Sequence, residues 1–326
     1  MDKRVFSGIK PSGRLHLGNY IGAINQWVDS QSDGLNIFCV VDLHAITVDQ
    51  DPKELHLQSL QLVAFLLAAG IDPKKSLLFV QSQNPDHANL GWVLNCFLTM
   101  GQMNRMTQYK EKSDGKESVS VGLFDYPALM AADILLYDTT HVPVGEDQKQ
   151  HVELARDVAE RFNSRLGETF VLPEPQILSV GGRVMSLTNP EKKMSKSITD
   201  PKGTIDLLDT PEAAREKILH ATTDSENRVS FDESRPGVSN LLSILSSLSG
   251  KSVQELEKEF TGVGYKDFKL AVADEVGAFL GKLQEKYEHF MSEDVLSPIL
   301  AEGRDKAYDI SHKKLSAVFD KIGFLN

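Results

Sequence analysis

Two short segments of this chain combine side chains and backbone suited to holding a polyphosphate. The first is Gly8-Ile9-Lys10-Pro11-Ser12-Gly13-Arg14-Leu15-His16-Leu17-Gly18-Asn19-Tyr20. Its glycines resemble the frame of a phosphate-binding loop, but Asn19-Tyr20 stands where Lys-Ser/Thr would be needed, and no G-x-G-x-x-G is present. What remains is a glycine-rich turn with His16 just before a helix whose N-terminus lies near Gly18. Such an end offers free N–H groups and a positive dipole to an anion. An ordinary strand-to-helix turn is the plain alternative. The second segment, Lys192-Lys193-Met194-Ser195-Lys196-Ser197, lies between Pro190 and Pro201 and reads as a loop. Its lysines and hydroxyls are point charges and donors for phosphate oxygens. A solvated basic loop is the plain alternative here.

A third residue raises a different question. Asp133 sits within Leu129-Met130-Ala131-Ala132-Asp133-Ile134-Leu135-Leu136, apolar on both sides. A buried, unpaired carboxylate there would cost several kcal/mol. It must reach solvent, pair with a charge, or accept a hydrogen bond from a donor. An indole N–H, a donor with no acceptor capacity, is one such partner. Gly145-Glu146-Asp147 opens a helix, where acidic residues are commonplace on helix-dipole grounds.

These residues need a scaffold, and the first half of the chain supplies its pattern. Strands are expected at Val5–Ile9, Asn36–Val41, Leu77–Gln81 and His141–Val144, separated by helical stretches. The clearest helix is Pro52–Ala69, with Leu55, Leu62, Val63, Leu66 and Leu67 on one face and Gly70 ending it. Strands joined by helices of this length form a doubly wound parallel α/β sheet, whose ligands bind beyond the strands' carboxyl ends. After about residue 200 the pattern turns helical, near 211–220, 237–249, 252–260, 264–290 and 293–322. This predicts a smaller helical domain packed on the first, with residues 1–200 and 201–326 as the two units.

Composition sets outer limits. The 326 residues suit about two domains. Hydrophobic residues at 41% and charged residues at 25% are a globular balance. A net charge of 35 − 46 = −11 excludes nucleic-acid binding through blanket positive charge, so an RNA partner needs local basic clusters. Cys39 and Cys96 cannot build a disulfide framework or a four-thiolate metal site, and both are expected as buried free thiols. No signal-peptide pattern or membrane-length apolar run is visible, which suggests a soluble cytoplasmic protein.

Taken together, His16-Leu17-Gly18-Asn19 and Lys193-Met194-Ser195-Lys196-Ser197 resemble the HIGH and KMSKS signatures of class I aminoacyl-tRNA synthetases, the second at every position. Ala131-Ala132-Asp133-Ile134-Leu135-Leu136-Tyr137, Val144-Gly145-Glu146-Asp147-Gln148-Lys149-Gln150-His151 and Thr223-Asp224-Ser225 narrow the resemblance to the bacterial tryptophanyl-tRNA synthetases. It spans essentially the whole chain and implies a Rossmann-like catalytic domain followed by a helical anticodon-binding domain. The implied reaction joins L-tryptophan to ATP as tryptophanyl-adenylate, with loss of pyrophosphate, then transfers tryptophan to the terminal ribose of tRNA(Trp).

The same resemblance assigns roles. Asp133 would hold the indole, Tyr126 and Gln148 the amino-acid ammonium and carboxylate, and Phe6, His44 and Met130 would line the pocket. ATP would be held by Lys10, Pro11, Ser12, Gly18, Asn19, Lys112, Gly145, Glu146, Asp147 and Val184, with Lys193, Met194, Ser195, Lys196 and Ser197. His16, Asn19, Lys193 and Lys196 would stabilise charge on the phosphates, with Mg²⁺ riding on ATP rather than held in a protein cage. The lysine loop would close over ATP, and the protein would be a homodimer with tRNA crossing between subunits. One departure stands out: Lys10 replaces the family's usual Gln, which implies an added phosphate or carboxylate contact. Two other readings remain, a tyrosyl-tRNA synthetase and a non-catalytic synthetase-like paralogue that binds RNA. The intact phosphate-handling residues argue against the latter.

Overall fold

The computed structural model describes residues 2–115, 118–177, 184–195 and 200–325, apart from the side chains of Lys112 and Asp147. Five parallel strands form one sheet: β1 (Arg4–Ile9), β2 (Leu35–Val40), β3 (Leu77–Val80), β4 (His141–Val144) and β5 (Glu174–Ile177). Their order is β3-β2-β1-β4-β5, so the winding direction reverses between β1 and β4. That reversal opens a crevice at the carboxyl ends of these two strands. β1 and β2 run in register from Arg4↔Leu35 to Ile9↔Val40, whereas β1 meets β4 at Val5↔His141 and then diverges.

β3 and, apart from Asn36, β2 are apolar, and both are almost wholly buried, as strands covered by helices on both faces must be. The four anticipated strands are present to within a residue at each end. β5 was not anticipated. Its sequence, Glu-Pro-Gln-Ile, is mostly exposed and has no apolar run; Pro175 is tolerated because the strand lies at the sheet's edge.

The helix Pro52–Ala69 has the expected limits. The Asp51 side chain accepts from the N–H groups of Lys53 and Glu54 at 2.9 and 3.0 Å, and Gly70 terminates it in a left-handed conformation. Helices follow at Pro211–Leu219, Pro236–Ser249, Val253–Glu259, Tyr265–Phe290 and Glu293–Ile322, close to the sequence pattern. The C-terminal helices share their cores with the first half. Phe65 stacks on Tyr287 at 4.2 Å, and Ala307, Leu315 and Val318 of the last helix enter the core beneath the sheet. At Gly303 that helix meets β3 backbone to backbone: a Cβ there would lie 1.9 Å from the Leu78 carbonyl, so only glycine fits.

One expectation is corrected. Cys39 is buried in β2, but Cys96 is exposed. It follows the helix Asp86–Asn95 and lies two residues, about 200° of helical turn, beyond the buried Leu94, which turns it outward. No described helix is long and apolar enough to cross a membrane.

Candidate active site

The crevice between β1 and β4 holds a cavity of about 380 Å³. β1 contributes Phe6 and Gly8, β4 contributes Val142 and Val144, and Gly145 and Gln148 follow β4 at the mouth. One wall is the helix Val121–Leu135, which presents Leu123, Tyr126, Met130 and Asp133. Steps of three, four and three residues keep all four on one helical face. His44, from the short helix Asp42–Ala45 after β2, closes the opposite side, and Lys10 reaches the rim. Every residue assigned to tryptophan by resemblance therefore lines a single cavity: Phe6, His44, Tyr126, Met130, Asp133 and Gln148.

Asp133 is 1% exposed. Its Oδ1 accepts hydrogen bonds from Gln81 Nε2 at 2.6 Å and His87 Nδ1 at 2.6 Å. Its Oδ2 accepts from His44 Nε2 at 2.8 Å. Burial alone would raise the carboxyl pKa, but the hydrogen bonds from His44 and His87 outweigh it and hold the group below the ordinary carboxylate value. A carboxylate has about four acceptor positions, so three donors leave one, on Oδ2. Oδ1 is filled by two fully buried side chains, whereas the partner of Oδ2 itself lines the cavity, so the remaining position belongs to the cavity side. The arrangement is an apolar slot with one anionic acceptor at its base.

Tyr126 donates to or accepts from the buried His151 Nε2 at 2.7 Å, and burial pushes its phenol up to about 12, so it keeps its proton at neutral pH. Gln81 and His87 were not singled out from the sequence. The available signal was a polar residue closing the apolar run Leu77-Leu78-Phe79-Val80-Gln81 at a strand's carboxyl end.

β1 leads from this cavity into the glycine-rich turn. Lys10 and Ser12 are exposed, while Pro11 is buried. His16 caps the helical segment that starts at Leu17, and its N–H donates to Asn19 Oδ1 at 3.0 Å while the Asn19 N–H returns to the His16 carbonyl. Asn19 thus fixes the backbone that carries His16. The described part of the lysine loop pairs with a neighbouring segment: Met194 N–H donates to the Val184 carbonyl at 3.0 Å and Ser186 N–H to the Lys192 carbonyl at 2.8 Å. Asn240 clasps Met185 through both its backbone groups, at 2.8 and 2.9 Å. Met194 is buried in one cluster with Leu17 and Val184, which brings the lysine segment against the glycine-rich turn. Lys193 is exposed, and Ser195 offers its carbonyl to Thr204 Oγ1 at 3.2 Å.

Gly145 and Glu146 are exposed where β4 passes into the helix Lys149–Leu166. The expectations for the Lys112 and Asp147 side chains, and for Lys196 and Ser197, lie outside the described residues.

The signature Thr223-Asp224-Ser225 has a structural basis. The Arg235 guanidinium beside Asp224 holds its carboxyl well below the usual range. Thr222, just before it, joins this segment to the antiparallel hairpin formed by residues 184–186 and 192–194, its N–H donating to the Leu187 carbonyl at 2.8 Å.

The model of the family described as tRNA synthetases class I (W and Y) matches residues 2–281 of the chain. The chain is 54% identical to the tryptophan–tRNA ligase of Caldanaerobacter subterraneus subsp. tengcongensis over 324 residues, which cover 99% of each chain. Among solved structures it resembles tryptophanyl-tRNA synthetase from Mycoplasma pneumoniae, with a TM-score of 0.88, 37% identity and coverage of 100% and 99% of the two chains. It also resembles the Campylobacter jejuni enzyme complexed with ADP and tryptophan, with a TM-score of 0.86, 38% identity and coverage of 98% and 100%.

Proposed function

The chain belongs to the class I tRNA synthetases of the tryptophan and tyrosine group, and from that membership we propose how its site works as a tryptophan–tRNA ligase. The amino-acid carboxylate attacks the α-phosphorus of ATP, pyrophosphate leaves, and the tryptophanyl group then passes from the adenylate to the 3′-terminal ribose of tRNA(Trp). The observation that carries the choice of amino acid is Asp133: a buried carboxylate with three donors in place and one acceptor position left for an indole N–H. A site built for one donor leaves its acceptor unpaired when that donor is missing, which rejects an analogue by about 10⁴–10⁵. Phenylalanine offers no such donor.

Tyr126 and Gln148 face the same cavity and suit the polar end of the amino acid. ATP extends from the rim at Lys10 and Gly145 towards His16, Gly18 and Lys193, with Lys196 completing the charge. No side chain forms a covalent bond to substrate; the rate enhancement comes from positioning and from charge stabilisation on the phosphates. The groups assigned to the charge on the phosphates are the Lys193 and Lys196 ammonium groups and the His16 imidazole, which suit phosphate rather than a hard cation. Mg²⁺ therefore enters as part of the ATP complex.

Residues 1–200 form the catalytic unit in this reading, and residues 201–326 carry the anticodon-binding surface. The protein works in the cytoplasm as a homodimer. Exposed Ile46, Trp92, Met100 and Val121 supply an apolar face for the second subunit. Tryptophan-dependent exchange of pyrophosphate with ATP tests the proposal. Exchange supported by tyrosine but not tryptophan overturns the choice of amino acid, and exchange with neither overturns the enzyme reading.

A further inference from the structure

Behind the tryptophan pocket runs a continuous line of buried polar side chains that the reaction itself does not use. His87 places Nδ1 on Asp133 Oδ1 at 2.6 Å and Nε2 on the Tyr137 hydroxyl at 2.8 Å. Asn84 Nδ2 donates to the same hydroxyl at 3.2 Å and to Ser311 Oγ at 2.9 Å, and Ser311 donates to Asp86 Oδ2 at 2.7 Å. All of these side chains are at most 2% exposed, yet none is left without a partner. Ser311 lies on the last helix, so the line crosses the core from the C-terminal region to the pocket.

The donor inventory gives the line a direction. An ionised carboxylate only accepts, so His87 Nδ1 must donate to Asp133. With the other ring nitrogen unprotonated, Tyr137 donates to it and accepts from Asn84, and every polar group on the line is satisfied. If Nε2 were protonated as well, the Tyr137 hydroxyl would accept twice and its own proton would have no place. Burial pushes the Tyr137 phenol well above its ordinary value, so it remains a donor across the working range. The Tyr137 ring is held independently, 6.0 Å from Phe6 and 5.7 Å from Phe79, so losing the hydroxyl leaves the aromatic packing in place.

We propose that His87 and Tyr137 are positioning residues for amino-acid selection: they lock a proton on His87 Nδ1, which keeps Asp133 charged and turned so that its one open acceptor position meets the indole N–H. Neither touches the substrate. Both act through Asp133, and the inference rests on tryptophan being the amino acid bound.

The test reads the N–H directly. Pyrophosphate exchange is measured with L-tryptophan and with β-(benzothiophen-3-yl)-L-alanine, in which sulfur replaces the indole N–H, and the ratio of the two kcat/KM values is the readout. Tyr137→Phe and His87→Leu are each expected to lower this ratio about 3- to 30-fold, mainly through the KM for tryptophan, with the KM for ATP unchanged. His87→Asn, whose amide can donate from near the Nδ1 position, should restore most of the ratio. A merely structural role lowers both substrates alike and leaves the ratio at the wild-type value; that result in Tyr137→Phe, the variant with intact packing, overturns the proposal. Wild-type exchange with tyrosine but not tryptophan overturns instead the reading beneath it, and is seen before any variant is made.

Discussion

Met194 of the lysine segment lies directly over Gly18, so that a Cβ added at Gly18 would sit 3.5 Å from Met194 Cβ. The same Cβ would come within 3.0 Å of His16 Nδ1 and 3.2 Å of its Cε1. Two segments far apart in sequence therefore share one wall, and the glycine leaves room for the imidazole between them.

Gly18→Ala is expected to push the His16 ring aside by a few tenths of an ångström. Ala is the better helix former by up to about 1 kcal/mol, so the melting temperature should hold or rise slightly. The rate of adenylate formation should nevertheless fall about tenfold, since small misplacements at the reacting centre are costly, while tryptophan affinity stays near wild type. Pre-steady-state adenylate formation alongside tryptophan binding separates the two effects. Equal losses in both would argue against a role for His16 in charge stabilisation.

Asp133→Asn places an amide where three donors already point. Its NH2 group must then meet either the two donors at the Oδ1 position or His44, whose ring has to change tautomer to accept, which should cost about 1–3 kcal/mol in stability and lower kcat/KM for tryptophan at least about 10²-fold. The pH dependence has a definite sign. Because the folded carboxyl lies below its ordinary value, its stabilising contribution is complete above that ordinary value, about 3.9, and is lost as pH falls through the lower folded one. Denaturant melts of wild type and variant should thus differ by a constant amount from about pH 5 upwards and converge in acid. A difference that grew towards high pH would contradict the assignment.

Arg235 is 6% exposed and gathers five groups. Its guanidinium donates to Asp224 Oδ2 at 2.8 Å, Ser230 Oγ at 2.7 Å, the Arg228 carbonyl at 2.7 Å and Tyr265 Oη at 2.5 Å, with Glu226 3.5 Å away. Asp224 is partly open to solvent, so a variant at 235 leaves it less stranded than a fully buried partner would be. Arg235→Met should cost about 2–3 kcal/mol of stability. Since Thr222, two residues before Asp224, binds the hairpin that carries the lysine segment, the KM for ATP should rise as well. Chemical denaturation and exchange kinetics on one preparation check both.

Most of the scaffold was legible because its physics is local. Pro52–Ala69 announces itself through its apolar face and Gly70, and β2 and β3 through apolar runs. β5 was not legible, since an exposed edge strand has no apolar run to mark it. The floor of the pocket was half legible: Asp133 was conspicuous as a charge among apolar neighbours, but nothing near Gln81 or His87 in sequence says which carboxylate they will meet. Cys96 went the other way, because apolar neighbours in sequence do not decide which side of a helix end faces the core. Pairings between distant segments, such as Asn84 with Ser311, depend on how the helices pack and leave no local trace.

The proposal that exposed apolar side chains cover a second subunit leads to a quantitative expectation. Ile46, Trp92, Met100 and Val121 are 60%, 70%, 67% and 73% exposed, large values for side chains of this kind. A cavity of about 430 Å³ is lined by Leu43, Ile46, Trp92, Leu129 and Tyr126, and Tyr126 also lines the cavity between β1 and β4. In a two-fold dimer each substitution acts twice. Burying a large apolar side chain contributes about 1.5–3 kcal/mol, so Trp92→Asp should weaken association by about 3–6 kcal/mol, or about 10²–10⁴ in Kd. Sedimentation velocity over a range of concentrations should show a dimer for the wild type and a monomer for the variant at micromolar protein. Because Tyr126 stands between the two cavities, the monomer should also bind tryptophan more weakly. If Trp92→Asp remains dimeric, the subunits meet elsewhere, and the shared Tyr126 wall carries no signal between them.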